Sequence, residues 1–287
     1  PSVYDKMNAI NILSKIQELE FKKIFKIMLG KSVTTRLLDL PVHEFLPNSI
    51  NELEILADEL KMTFLQVSER CKQMAEINPM LGKRGVRLGI LLPELYKMQV
   101  KAIIKASIRI YGKNQNEFPP EIMLPMVSSF KEVNFLKKLI DDVVCEINEE
   151  INFSINYKLG VMVETPRAAL KAGDLAKISS FLSFGTNDLT QMTYGLSRDD
   201  SGTFMRDYLE KGIFPVDPFR SLDLDGVGEL LKIASKKSRA ANPSIKIGIC
   251  GEHGGDPESI DFCKKIGLDF VSCSPFRVPI ARIAAAQ

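Results

Sequence analysis

The stretch YKLGVMVETPRAALKAGDLAKISSFLSFGTNDL, residues 157 to 189, decides the fold. Its first ten residues carry a near-continuous apolar run, as a strand buried on both faces requires. RAALKAGDLAKISS then spaces Ala and Leu at helical intervals, and FLSFGTNDL returns to a buried strand. Parallel neighbours need a crossover between them, so strand, helix and strand in one short span is the unit of a parallel sheet.

The same alternation runs outward in both directions. Upstream, SVTTRLLDLP carries a β-branched strand, and NELEILADELKMTFLQVSERCKQMAEI and PELYKMQVKAIIKASIRIYG read as helices. Between those helices RGVRLGI is a weaker strand candidate. EIMLPMVSS is strand-like, and FKEVNFLKKLIDDVVCEINEEI restores helical periodicity. Downstream, a long irregular stretch leads to the helix GVGELLKIASKKSRAA, the strand IKIGICGE, the helix PESIDFCKKIG and a last strand in FVSCSPFRV before a final helix. With RGVRLGI, these make seven strands. The predicted class is α/β, a (β/α)8 TIM-type barrel lacking its first strand in this fragment, with residues 1–287 as one domain. A doubly wound sheet is the rival, but no glycine-rich dinucleotide turn follows an early strand.

Composition narrows the function. The chain has 287 residues, 45% hydrophobic and 26% charged, with a formal net charge of +2. Neither a nucleic-acid nor a membrane partner is called for. No apolar run approaches the roughly 20 residues that span a bilayer, and PSVYDKMNAI does not read as a signal peptide. The five cysteines, Cys71, Cys145, Cys250, Cys263 and Cys273, are scattered and odd in number. They argue against a disulfide framework or zinc site and for a reducing, cytoplasmic setting. The start on Pro and the end within ARIAAAQ read as a piece of something longer.

Polar residues cluster where the strands end, which is where a barrel places its chemistry. Glu164 and Asp188 end neighbouring strands and are 24 residues apart. Such a pair can hold Mg²⁺ while substrate and water complete its shell. Equally, Glu164 can pair with an arginine while Asn187 and Asp188 cap a helix. Arg36 and Arg84 can each offer a bidentate fork to carboxylate or phosphate, or form a structural ion pair. Cys250 is either a small buried hydrophobe or a thiol set for proton transfer among Gly251, Glu252, His253, Gly254 and Gly255. His43 and His253 are the only histidines, and His253 reads as a hydrogen-bonding support for the Cys250 loop. No phosphate-cradling GxxxxGK[ST] loop is present.

RLLDLPVHEFLP, NPMLGKRGVRLGI, VMVETPRAAL, SFGTNDLTQMTYGLSRDD, IGICGEHGG and VSCSPFRVPIARIAAAQ together resemble the pyruvate, phosphate dikinase family. The likeness runs from about residue 20 to the end, over the family's C-terminal barrel domain for phosphoenolpyruvate (PEP) or pyruvate. It implies Mg²⁺ on Glu164 and Asp188, and Arg36 and Arg84 on the phosphoryl group and enolate. By the same likeness Thr186, Asn187 and Asp188 contact the substrate, with Asn187 on its carboxylate. Cys250 becomes the acid and base at the methyl carbon. The implied partners are pyruvate or PEP, the phosphohistidine domain of a longer enzyme, and a second copy in a homodimer. Lys83 stands where the family more often has His. The family's ATP-grasp and phosphohistidine domains are absent from these residues, so this chain alone is not expected to complete the dikinase reaction. PEP synthase is similar through the same barrel, which leaves a synthase-like domain or a non-catalytic binding or dimerisation fragment as alternatives.

Overall fold

The computed structural model describes residues 3–39 and 41–287; Leu40, in the RLLDLP block, lies outside the described residues. The chain divides into two compact units, Pro1–Pro120 with Lys138–Asn156, and Glu121–Lys137 with Tyr157–Gln287.

The first unit holds α1 (Val3–Ile27), a short strand β1 (Thr34–Arg36), α2 (Ile50–Leu60), α3 (Phe64–Met74), α4 (Val86–Leu91) and α5 (Pro93–Tyr111). α1 and α5 pack together, with the Phe25 ring edge-on to Tyr111 at 6.2 Å. Two expectations are corrected here. RGVRLGI is helix α4, not a strand, so the described residues contain six strands instead of seven. Its run is too short for periodicity to separate strand from helix. The helix also fits its neighbours. Gly85 opens it at φ 55°, and a Cβ on Gly89 would meet the Tyr96 ring at 2.4 Å. The long helix expected from residue 51 is instead two, α2 and α3. Lys61 takes the left-handed conformation (φ 52°) after α2, and Thr63 caps α3 in a reciprocal box with Gln66. That box interrupts the helix although the apolar spacing runs on through it.

The second unit holds β2 (Glu121–Leu124), β3 (Lys158–Val163), β4 (Phe181–Gly185), β5 (Lys246–Cys250) and β6 (Phe270–Val271). They pair in that order, all parallel, with Val161 opposite Leu182 and Gly185 opposite Cys250. Helix α6 (Phe130–Ile151) follows β2 and runs through the boundary between the units. α7 (Pro166–Leu170) and α8 (Ala172–Ala176) link β3 to β4. Then come α9 (Thr186–Tyr194), α10 (Arg198–Ser201), α11 (Met205–Glu210), α12 (Val227–Ala241), α13 (Pro257–Lys265) and α14 (Val278–Ala286). Val161, Val163, Leu182, Phe184, Ile247 and Ile249 are all fully buried. Apolar strands covered by crossover helices are the α/β arrangement that the opening stretch predicts. The last strand is shorter than expected, only Phe270–Val271, and a 3-10 turn at Pro275–Arg277 lies further on. Proline there has no N–H to give a ladder. The irregular stretch after α9 is held by aromatic contacts among Tyr194, Phe214 and Tyr208.

Candidate active site

Parallel strands present all their carboxyl ends at one edge of the sheet, and in the second unit that edge collects the polar residues. Glu164 follows β3, Thr186, Asn187 and Asp188 open α9 directly after β4, and Cys250 is the last residue of β5.

Glu164 is only 1% exposed. Its Oε1 accepts a hydrogen bond from the Met126 N–H at 2.5 Å. Its Oε2 lies where a Cβ on Gly185 would come within 2.5 Å, so glycine at 185 makes room for the carboxylate. Asp188 is half-buried in the first turn of α9, where the helix dipole favours an acid. The helix begins at Gly185, which makes no side-chain cap bond. Among the described residues no group of three or more His, Cys, Asp and Glu gathers as a metal site. Glu164 and Asp188 are the carboxylates at these two strand ends, and hard oxygen donors of this kind are the type that Mg²⁺ takes.

The Cys250 thiol donates to the Phe184 carbonyl at 3.3 Å, and the Cys250 carbonyl accepts from the Thr186 hydroxyl at 3.1 Å. Phe184 and Thr186 flank Gly185, the register partner of Cys250, so the end of β4 and the first residue of α9 each bond that cysteine. Gly251 follows at φ 97°, in the left-handed region, and a Cβ there would sit 2.9 Å from Asn187 Oδ1. Both the turn and the close approach require glycine. The same Asn187 oxygen accepts from the Glu252 N–H at 3.3 Å. Glu252 in turn pairs with Arg198 at 3.8 Å and Arg277 at 3.4 Å.

His253 is completely buried. Nε2 lies 2.9 Å from the Pro218 carbonyl and Nδ1 2.7 Å from the Thr186 hydroxyl. Burial pushes its pKa below the usual histidine value, with the Pro218 bond and the nearby Asp256 and Glu252 opposing that in part. The ring supports the Cys250 loop by way of Thr186.

Arg36 and Arg84 belong to the first unit, where Asp39 joins them. Arg36 Nη1 donates to Asp39 Oδ2 at 2.9 Å. Arg84 makes a fork, Nε to Oδ1 at 3.1 Å and Nη2 to Oδ2 at 2.6 Å. Both arginines thus have the structural ion pair considered from the sequence. Helix α5 fixes this segment, since Tyr96 donates to the Leu38 carbonyl and the Leu38 N–H donates to Gln99 Oε1. Asp39 escaped the sequence reading because its main partner lies 45 residues away; its only local signal is an acid three residues after Arg36.

Two cavities in the second unit exclude every predicted site residue. One of about 690 Å³ is lined by Tyr194, Phe214, Pro218 and Leu222 among others, and one of about 410 Å³ by Arg198, Arg220 and Arg277 among others.

In this α/β chain, acids, an amide and a thiol stand at the carboxyl ends of parallel strands, the edge at which parallel α/β enzymes place their sites. The chain is a member of the PEP-utilising enzyme family: the description "PEP-utilising enzyme, PEP-binding domain" matches residues 3–287. It is 46% identical over 286 residues to pyruvate, phosphate dikinase of Clostridium symbiosum, covering 100% of this chain and 33% of that protein. Similarity to the Rickettsia prowazekii (strain Madrid E) protein of the same name is 47% over 287 residues, with coverage of 100% and 33%. The chloroplastic pyruvate, phosphate dikinase of Flaveria pringlei is 50% identical over 283 residues, covering 97% of this chain and 29% of that protein. The chain therefore spans about a third of the length of these curated relatives.

Proposed function

We propose that the chain is the pyruvate- and PEP-binding part of a pyruvate, phosphate dikinase, built on a (β/α)8 barrel. In the whole enzyme, ATP, pyruvate and phosphate would be converted to AMP, PEP and diphosphate. The part described would move a phosphoryl group between a phosphohistidine on another domain and the enolate of pyruvate. The observation that carries this reading is the placement of Glu164, Thr186, Asn187, Asp188 and Cys250 at adjoining strand ends, within a family match that spans the chain.

Each residue has a chemical task in this reading. In thiolate form Cys250 removes a proton from the pyruvate methyl carbon, and in reverse the thiol returns it to the methylene carbon. Glu164 and Asp188 would hold Mg²⁺, which when bound supplies positive charge against the developing enolate. Asn187 binds the substrate carboxylate, with Thr186 and Asp188 beside it in sequence. Arg36 and Arg84 offset the charge of the transferring phosphoryl group, and Asp39 fixes their direction. The enolate oxygen attacks phosphorus as the phosphohistidine N–P bond breaks. Five free thiols support a reducing, cytoplasmic setting, and a homodimer is proposed for the whole enzyme. Among the described residues no helix is long and apolar enough to cross a membrane.

Calorimetric titration with oxalate, a planar mimic of the enolate, tests the reading. Binding is expected only with Mg²⁺, and Asp188→Ala should abolish it. A folded chain that ignores oxalate at millimolar Mg²⁺, or binds it equally after Asp188→Ala, would be a non-catalytic fragment.

A further inference from the structure

The glycine-rich loop after Cys250 is pressed between two segments of the second unit. On the α9 side, a Cβ on Gly251 would sit 2.9 Å from Asn187 Oδ1. On the other side, a Cβ on Gly254 would overlap the Ser272 carbonyl oxygen, and one on Gly255 would overlap the Arg277 side chain. Each glycine leaves room for a particular neighbour, and the Arg277 stem lies across Gly255. From the end of that stem, Arg277 Nη1 donates to the Glu252 carbonyl at 3.2 Å and lies 3.4 Å from the Glu252 carboxylate. Arg198 approaches the same carboxylate at 3.8 Å. Arg277 and Glu252 are each 44% exposed, so their charge attraction alone holds little. The carbonyl bond and the packing on Gly255 add to it, and all three contacts belong to Arg277.

What this hold directs is the Glu252 N–H. An N–H only donates, so it faces the Asn187 amide oxygen, and the 3.3 Å bond there turns Nδ2 the other way. Among the described residues nothing accepts from Nδ2, so both of its protons are left for a ligand. An amide released from the Glu252 N–H would be free to turn its oxygen toward an incoming carboxylate, which repels it.

We infer that Arg277 is a positioning residue for Asn187: it fixes Glu252, and the Glu252 N–H fixes which end of the Asn187 amide faces a ligand. That the ligand is the substrate carboxylate rests on the reading proposed above; the fixing of the amide does not.

Exchange of the Glu252 amide proton with deuterated water, followed residue by residue by nuclear magnetic resonance, reports the hold without any ligand. Asn187→Ala removes the acceptor and should speed that exchange about tenfold. Arg277→Ala should speed it by a similar factor. Gly255→Ala should do the same, because its methyl displaces the arginine stem while leaving the charge in the chain. The amides of the fully buried Leu182 and Ile249 should stay protected in every variant, which shows that the sheet remains folded. With oxalate and Mg²⁺, Arg277→Ala should weaken binding about tenfold in the parent and less than about twofold on an Asn187→Ala background. Glu252 exchange that is unchanged in both Arg277→Ala and Gly255→Ala overturns the inference. So does a loss of oxalate binding from Arg277→Ala that is as large without Asn187 as with it. If oxalate fails to bind the parent chain, the enzymatic reading falls while the exchange series still decides this one.

Discussion

Asp39 is buried and takes hydrogen bonds from two arginines of unequal exposure. The Arg84 side chain is 12% exposed and Arg36 is 44% exposed. Removing the acid therefore harms the two ion pairs differently. Charge left behind at Arg84 is largely desolvated, whereas Arg36 turns to water. Asp39→Ala is expected to lower stability by about 3 kcal/mol in urea unfolding. Arg36→Ala should lower it by at most about 1 kcal/mol, as an exposed pair does. Equal losses would mean that Asp39 is not the shared anchor. At this scale the candidate site was unevenly legible. The strand-end positions of Glu164, Asn187, Asp188 and Cys250 were legible because each stands where an apolar run stops, whereas Thr186 entered only through the family resemblance. Asp39 could not, since a pairing across 45 residues leaves no local trace. Gly185 and Gly251 owe their necessity to side chains on neighbouring segments, Glu164 and Asn187, and only coordinates reveal that.

At the scale of elements, local chemistry that stops a helix outranked apolar spacing. Residues 51–77 carry continuous helical periodicity, yet the chain turns at Lys61. There the backbone sits at φ 52° and ψ 42°, and its N–H closes the end of α2 onto Ala57 and Asp58. A residue with a Cβ is strained in that region by roughly 1–2 kcal/mol, while glycine is not. Lys61→Gly should therefore stabilise the first unit by about 1 kcal/mol after the added freedom of the unfolded chain is deducted. A shift of the urea midpoint to higher concentration checks it; a shift downward would show that the lysine side chain contributes more than its backbone costs. The strand order of the second unit was legible, because buried parallel strands need unbroken apolar runs. Its helices were less so, since the single helix expected over RAALKAGDLAKISS is the two short helices α7 and α8, and α10 and α11 stand in the stretch expected to be irregular. RGVRLGI was misread for a definable reason. Gly89 gives room to Tyr96, and that packing, not the sequence's own period, settles its helical form.

Across the whole molecule, two buried groups outside the carboxylate range set opposite limits on stability with pH. Burial holds the His253 pKa below its unfolded value of 6.5. Between those values the unfolded chain binds more protons than the folded one, so stability is fully present above about pH 6.5 and is lost as pH falls through the folded value. Burial raises the Cys263 thiol from 9.0 to about 12. Here the folded chain keeps a proton that the unfolded chain releases, so stability is fully present below about pH 9 and is lost as pH rises toward 12. Urea unfolding from pH 5 to pH 11 should show a plateau with a falling limb on each side. His253→Asn should flatten the acid limb. Cys263→Ala should lower the plateau by a constant amount and flatten the alkaline limb, so that the parent loses about 2 kcal/mol more than the variant between pH 9 and pH 11. Limbs that keep their slopes in these variants would assign the pH dependence to other groups, among them Tyr111 and Tyr194, whose pKa values burial also raises. A flattened acid limb with an unchanged alkaline one would mean that the Cys263 environment admits water, since a hydrated thiol would ionise near 9 in both states and contribute no slope.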